Sequence, residues 1–357
     1  MNLDNYSEFP KIDLENMIAQ IDALPDQLKD SWRLGNQFLL PDWTDIEHVL
    51  IAGMGGSAIG ADLLKSYISP VCIVGVEVHR DYGLPSWVSG PETLVIASSH
   101  SGNTEETLSA LKTAVERKCR VLAVTTGGKI EEFTRSIGAP VWRFTHSGQP
   151  RSAVGFSFGL LLSAFYRLKL VPNPSDELED AVRAMVKQQV DLQIEVPVVN
   201  NPAKRIAGQL AGRWVTVLGA GLLAPVARRW KGQLSEVAKA WAQFEFLPEA
   251  NHNTLAGIQH PEHILSNMAV IFLASAFGNP RNALRLKLSR DIFMLEGIGT
   301  DVIESKGGTR LAHQWTSLHF GDYVAYYLAM MYDVDPTPVA VIENFKRGML
   351  EADTDQA

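Results

Sequence analysis

Two clusters of glycine and small hydroxylated residues could cradle a doubly charged anion. The first is Gly53-Met-Gly55-Gly56-Ser57-Ala-Ile-Gly60. Glycines let backbone N–H groups approach an anion at a helix start, where the helix dipole favours negative charge. The same residues would also serve as a tight strand-to-helix turn that binds nothing. Gly53-x-Gly55-x-x-Ala58 further satisfies a loose dinucleotide fingerprint, with Glu77 and Asp81 both near the acidic position expected about 20 residues on. The second cluster is Ser98-Ser99-His100-Ser101-Gly102-Asn103-Thr104-Glu105-Glu106-Thr107. Ser99, Ser101 and Thr104 can surround one point with hydroxyls and amides, the setting a phosphomonoester requires. Ser101 with Thr104 and Glu105 could instead be an ordinary helix cap. Two anion-ready loops one strand–helix unit apart favour phosphate.

The elements that carry these loops follow from pattern. Strands are expected at His48–Ala52, Val71–Val78, Thr93–Ser98, Arg120–Thr125 and Pro140–Phe144. Helices are expected over Ala58–Tyr67, Thr104–Lys118, Ile130–Ile137 and Gly155–Leu170. Apolar runs alternating with helices indicate an α/β fold with a parallel sheet covered on both faces. A Pro-rich, acidic break at Val171–Asp180 divides the chain into residues 1–172 and 173–357. The second half repeats the rhythm. Trp214–Leu218 ends in Gly-Ala-Gly, a long helix runs to about Lys239, and further strands are expected at Trp241–Phe246, Val270–Leu273 and Asp301–Glu304. Helices over Ser317–Tyr332 and Val339–Glu351 flank a DPTP break. The Ser/Thr clusters of the first half have no counterpart in the second.

Composition narrows the classes. A chain of 357 residues exceeds what one core usually serves, so two domains are expected. The net charge of −8 and the lack of a basic run argue against nucleic acid as a partner. Two cysteines, Cys72 and Cys119, offer neither a disulfide framework nor a zinc site, which fits a cytoplasmic protein. The opening MNLDNYSEFPKIDLEN is unlike a signal peptide, and no apolar run is long enough to span a membrane. No His/Cys/carboxylate cluster has metal-ligand spacing.

GMGGS, SHSGNTEET, VTTGG and QPR resemble the sugar isomerase (SIS) domain. The fuller pattern resembles the bifunctional phosphoglucose/phosphomannose isomerases, which carry two SIS domains. Its landmarks continue through Ser235-Glu236-Val-Ala-Lys239, Pro248-Glu249-Ala-Asn251-His252-Asn253, Asp335-Pro-Thr-Pro338 and Lys346, from about residue 50 to 346. The sequence departs from the family pattern in three places. His100 stands where the family typically has an aromatic, Ser235-Glu236-Val237 replaces Asn-Glu-Asn, and Thr254 replaces Glu.

The resemblance implies aldose–ketose isomerisation of hexose 6-phosphates through a cis-enediol. Glucose 6-phosphate and mannose 6-phosphate would be converted to fructose 6-phosphate, without cofactor or metal. Such chemistry needs a base that moves a proton between C1 and C2, a cation beside the enediolate oxygen, and an acid/base that opens the ring. The resemblance assigns Glu236 to the proton shuttle, Arg151 to the enediolate, His252 to ring opening and Lys346 to the sugar end. Phosphate would fall to Gly55, Gly56, Ser57, Ser99, Ser101 and Thr104, and Thr337 is a candidate specificity contact. The resemblance also implies a homodimer in which the histidine comes from the partner chain. On sequence alone, Glu236 would read as a helix-surface glutamate paired with Lys239. Lys346 would read as a solvated lysine. A non-catalytic sugar-phosphate sensor or an isomerase of another phosphosugar is the alternative. A nicotinamide-dependent oxidoreductase rests on the loose glycine pattern alone.

Overall fold

The computed structural model describes residues 2–354. Helices α1 (Met17–Asp22) and α2 (Leu24–Gly35) precede the first sheet. That sheet alternates β1 (His48–Ala52), α3 (Gly55–Ile68), β2 (Gly75–His79), β3 (Thr93–Ser99), α4 (Glu105–Glu116), β4 (Arg120–Thr125), α5 (Gly128–Ser136) and β5 (Val141–Arg143). Its five strands are parallel in the order β2-β1-β3-β4-β5. Helices α6 (Val154–Arg167), α7 (Ser175–Gln189) and α8 (Pro202–Leu210) lead to the second half. There β6 (Trp214–Ala220), α9 (Ala224–Glu236), β7 (Ala242–Leu247), α10 (Glu262–Leu265), β8 (Met268–Ala274), α11 (Pro280–Leu295) and β9 (Gly299–Glu304) build a four-stranded parallel sheet ordered β7-β6-β8-β9. The long α12 (Arg310–Met331) and α13 (Ala340–Thr354) follow.

Strand alternation shows why both sheets are parallel and covered. Val49, Ile51, Leu94, Ile96, Leu122 and Val124 face one core, while Leu50, Ala52, Val95, Ala97, Val121 and Ala123 face another. In the second sheet Val215, Val217 and Ile271 join the first of these cores, and Leu218, Val270 and Phe272 face a third. The inner faces of the two sheets therefore share one continuous core. Helix α12 belongs to that core. Every residue from Leu311 to Met330 is buried, the polar ones His313, Gln314, Thr316, Ser317, His319 and Asp322 included.

Differences from the expected elements have local causes. Val71 and Cys72 donate their N–H groups to the Ile68 carbonyl, so they end α3 and β2 starts later. The helix expected to reach Lys239 stops at Glu236. Lys239 takes a left-handed φ of 55° and the Ala240 N–H closes on the Leu234 carbonyl. Helix α12 starts at Arg310, before the expected Ser317, because its polar residues find internal partners. The Thr309 hydroxyl caps it by accepting from the Ala312 N–H, and Gln314 donates to Ser66 Oγ at 2.8 Å.

Candidate active site

The phosphate-ready loops both lie at strand C-terminal ends. Gly55 takes a φ of 50° to start α3, and Gly56 is required because a Cβ would lie 2.5 Å from the Pro150 carbonyl oxygen. Hydrogen bonds tie the loops together. The His100 N–H donates to Ser57 Oγ at 3.2 Å, and Ser99 Oγ lies 2.8 Å from Thr104 Oγ1. The Gly102 N–H donates to Ser99 Oγ, and the Asn103 N–H to Ser101 Oγ. The loop after β4 braces this turn from behind. The Thr126 N–H and hydroxyl both donate to the His100 carbonyl, and the Ile130 N–H donates to that of Gly102. Ser57, Ser99 and Thr104 thus belong to one network, with Ser101 exposed at its tip. Thr104 caps α4 in extended conformation, and its hydroxyl bonds no amide of the helix, so it is left for the loop.

Arg151 and Glu236 meet across the two halves. Arg151 follows β5 in a short turn, and Glu236 ends α9 with one Oε 3.6 Å from the guanidinium. Arg151 is 3% exposed and donates to the carbonyls of Pro336 and Thr337, leaving its buried Nε without a partner. Burial pushes its pKa down from the ordinary arginine value, while the Glu236 carboxylate pulls it back up. Lys239 lies beside this pair instead of on the helix. Its stem is exposed, but its ammonium donates to the carbonyls of Glu236 and Pro336. Burial first, then the Arg151 charge, pushes it down to about 8. The expected Glu236–Lys239 helix-surface pair is therefore absent, and Glu236 faces Arg151.

Both side chains open onto a cavity of about 350 Å³. Gly55, Gly56, Arg80, Arg228, Lys231 and Phe244 also line it, whereas Ser57, Ser99, Ser101 and Thr104 do not. Arg229 also lines it, held by Asp322 through two bonds of 3.2 and 2.9 Å and donating to the Arg151 carbonyl at 2.7 Å. Sequence reading passed over Arg229 and the other basic residues. The available signal was helical spacing, since Arg229, Gln233 and Glu236 fall at i, i+4 and i+7 on one face.

The other expected residues lie outside this cavity. His252 is exposed in the turn after β7, with Asn251 beside it bonded to Ser289 Oγ at 2.6 Å. Lys346 is exposed on α13. Thr337 is fully buried with an unpartnered hydroxyl, and touches the site through its carbonyl on Arg151. Among the described residues no group of three or more His, Cys, Asp or Glu could hold a metal ion, and no helix is long and apolar enough to cross a membrane.

The chain is 38% identical to a bifunctional phosphoglucose/phosphomannose isomerase of Caldicellulosiruptor bescii, over 94% of this chain and 99% of that one. It belongs to that family. A relative of the same name from Aquifex aeolicus is 31% identical over 87% of this chain and 94% of its own. Residues 199–349 match the family model of the bacterial phospho-glucose isomerase C-terminal SIS domain. The fold is shared with the C-terminal domain of glucosamine-fructose-6-phosphate aminotransferase from Francisella tularensis. The TM-score is 0.72 at 14% identity, covering 90% of this chain and 98% of that one. The bifunctional isomerase family is thus joined by a chain whose SIS architecture places a carboxylate and a guanidinium from different halves at one cavity.

Proposed function

We propose that this chain isomerises hexose 6-phosphates, interconverting glucose 6-phosphate and mannose 6-phosphate with fructose 6-phosphate through a cis-enediol. The observation that carries this reading is the Arg151–Glu236 pair facing a cavity whose near wall is the Gly55-Gly56 turn. Family membership and full-length similarity to named isomerases support the same reaction.

Roles follow from what each group can do. Glu236 accepts the C2 proton of the open-chain aldose and returns it to C1, which requires a carboxylate facing the cavity. Arg151 stays charged while buried and stabilises the enediolate oxygen. Gly55, Gly56, Ser57, Ser99, Ser101 and Thr104 hold the phosphate dianion at the start of α3 and α4. His252 opens the ring. Its exposure outside this cavity fits delivery into a neighbouring subunit's site, so the active form is a homodimer with shared sites. Lys346, on exposed α13, reaches the sugar end in the same assembly, and Thr337 influences C2 recognition through Arg151. Residues 1–172 form the SIS domain that carries the phosphate loops, and residues 173–357 the one that carries base and histidine. No metal or cofactor takes part, because proton transfer through an enediol involves no net redox change. The protein works in the cytoplasm.

The test is steady-state kinetics with fructose 6-phosphate, glucose 6-phosphate and mannose 6-phosphate side by side, run in deuterated water. Turnover of both aldoses with deuterium entering at the carbon that receives the proton supports the reading. Absence of turnover on all three sinks it.

A further inference from the structure

The cavity wall carries a local excess of positive charge. Two of its cations are neutralised where they stand, Arg151 by Glu236 and Arg229 by Asp322. Three others, Arg80, Arg228 and Lys231, line the same wall. Arg80 and Arg228 both reach a single oxygen, Oδ2 of Asp62, Arg228 at 2.9 Å. Lys231 has no carboxylate partner among the described residues. Three cations against one carboxylate leave an excess of two positive charges. The chain as a whole carries −8, so this concentration is local.

The cluster is also built to face the cavity. The Arg228 guanidinium sits 5.1 Å from the Phe244 ring centroid and 5.9 Å from that of Phe246. Together with Asp62 they hold it over the wall. Arg228 and Lys231 precede Glu236 by eight and five residues of α9, about 12 and 7.5 Å along the helix axis. Arg80 follows β2, whereas the Ser99–Thr104 loop follows β3, two strands away. Two interstrand spacings are about 10 Å. In the strand order the Gly55-Gly56 turn, which follows β1, lies between Arg80 and the Ser99–Thr104 loop. That arrangement suits a six-carbon chain with an anion at each end.

We propose that Arg80, Arg228 and Lys231 form a second anion subsite, which receives the C1 phosphate of a hexose bisphosphate whose C6 phosphate occupies the Ser57/Ser99/Thr104 loops. Such a ligand spans the base without presenting a C1 hydroxyl, so it occupies the site as a competitive inhibitor. The proposal rests on placing the C6 phosphate in the serine loops.

Calorimetric titration with hexitol 6-phosphate and hexitol 1,6-bisphosphate tests it, because neither probe can be isomerised. The native protein should bind the bisphosphate at least tenfold more tightly than the monophosphate. Lys231→Ala leaves the Asp62–Arg80–Arg228 brace intact and should shrink that ratio at least threefold, with monophosphate affinity unchanged. Lys231→Glu should bring the ratio to one or below. Ser101→Ala should weaken both probes alike. A native ratio under threefold, or a ratio that survives Lys231→Glu, overturns the subsite. If Lys231→Ala weakens the monophosphate as much as the bisphosphate, the cluster holds the C6 phosphate itself and the proposal also fails. Failure of the isomerase reading would show separately, as absent turnover with probe binding intact.

Discussion

Replacing Glu236 by Gln keeps the size of the side chain while removing a proton acceptor and the counter-charge of Arg151. The two losses have different magnitudes. Breaking a fully buried ion pair by removing one partner costs about 3–5 kcal/mol. Here Glu236 is 33% exposed, its oxygen is 3.6 Å away, and Arg151 keeps two carbonyl acceptors. The loss therefore scales down to about 1–2 kcal/mol. Unfolding entropy near 2.1 cal/mol/K per residue gives roughly 0.75 kcal/mol/K for 357 residues. The melting temperature should fall by only about 1–3 °C. Loss of a general base, by contrast, lowers kcat by about 10²- to 10⁴-fold. KM should change little, because an interaction made mainly in the transition state lowers kcat. The assay is steady-state isomerisation alongside thermal unfolding, with Glu249→Gln as comparison. Glu249 is exposed in the turn after β7 and accepts from Asn253 at 3.1 Å. If the Glu249 variant is dead while the Glu236 variant keeps near-normal kcat, the base has been assigned to the wrong carboxylate.

Other expectations follow from the loops and the core. Ser101→Ala should raise KM about tenfold through loss of one charge-assisted hydrogen bond of about 1.5 kcal/mol, with kcat within twofold. Gly102→Ala should do more damage, since the residue holds a φ of 66° and a Cβ would lie 1.7 Å from the Gly127 carbonyl oxygen; parallel KM measurements on the two variants check this order. His319 is fully buried on α12, donates from Nε2 to the Ile21 carbonyl at 2.9 Å, and burial pushes its pKa down to about 4. A folded pKa below the unfolded value of about 6.5 means that the native state binds fewer protons, so stability is full above pH 6.5 and lost as pH falls toward 4. The full loss is roughly 3 kcal/mol, and the acid limb of urea-unfolding free energy should be shallower by that amount in His319→Gln.

Much of the fold was legible because a parallel sheet buried on both faces writes itself as short continuous apolar runs. His48–Ala52 and Arg120–Thr125 appear in the structure with the bounds that pattern predicts. The misjudged ends were those decided by backbone conformation or by distant partners. Lys239 has no glycine to announce its left-handed turn. The polar first turns of α12 looked unlike a core helix, because Gln314 finds its acceptors on α3 and in the turn before α9. The positions of the two glycine- and hydroxyl-rich loops at strand ends were legible because their turn chemistry is local. The partnership of Arg151 with Glu236 was not, since the residues are 85 positions apart and meet only when two sheets share a core. Family resemblance assigned them roles, whereas packing explains how they come together.

That shared core makes a prediction far from the substrate. Gly321 sits on α12 against Trp230 of α9, and a Cβ there would lie 2.2–2.6 Å from three atoms of the indole. Trp230 is fully buried and donates to the Ser317 carbonyl at 2.9 Å, so the ring has little room to retreat. Gly321→Ala must therefore push α9 outward, and Glu236 is the last residue of that helix. Overpacking of this kind costs about 1–3 kcal/mol. The same displacement acts on the reaction, because a misplacement of about 1 Å can lower the rate by about 10²-fold. The Gly55–Ser57 and Ser99–Thr104 loops lie at the ends of β1 and β3 in the other sheet, farther from Gly321 than Glu236 is along the packed helix, so KM should change less than kcat, which should fall at least tenfold. Filling the site and trimming its neighbour together, as in Gly321→Ala with Trp230→Phe, should recover part of that kcat by giving the methyl group room. If the single variant loses several degrees of melting temperature and still turns over at the native rate, the packing of α9 on α12 does not set the position of the base, and the Arg151–Glu236 distance is fixed by the residues around Pro336 instead.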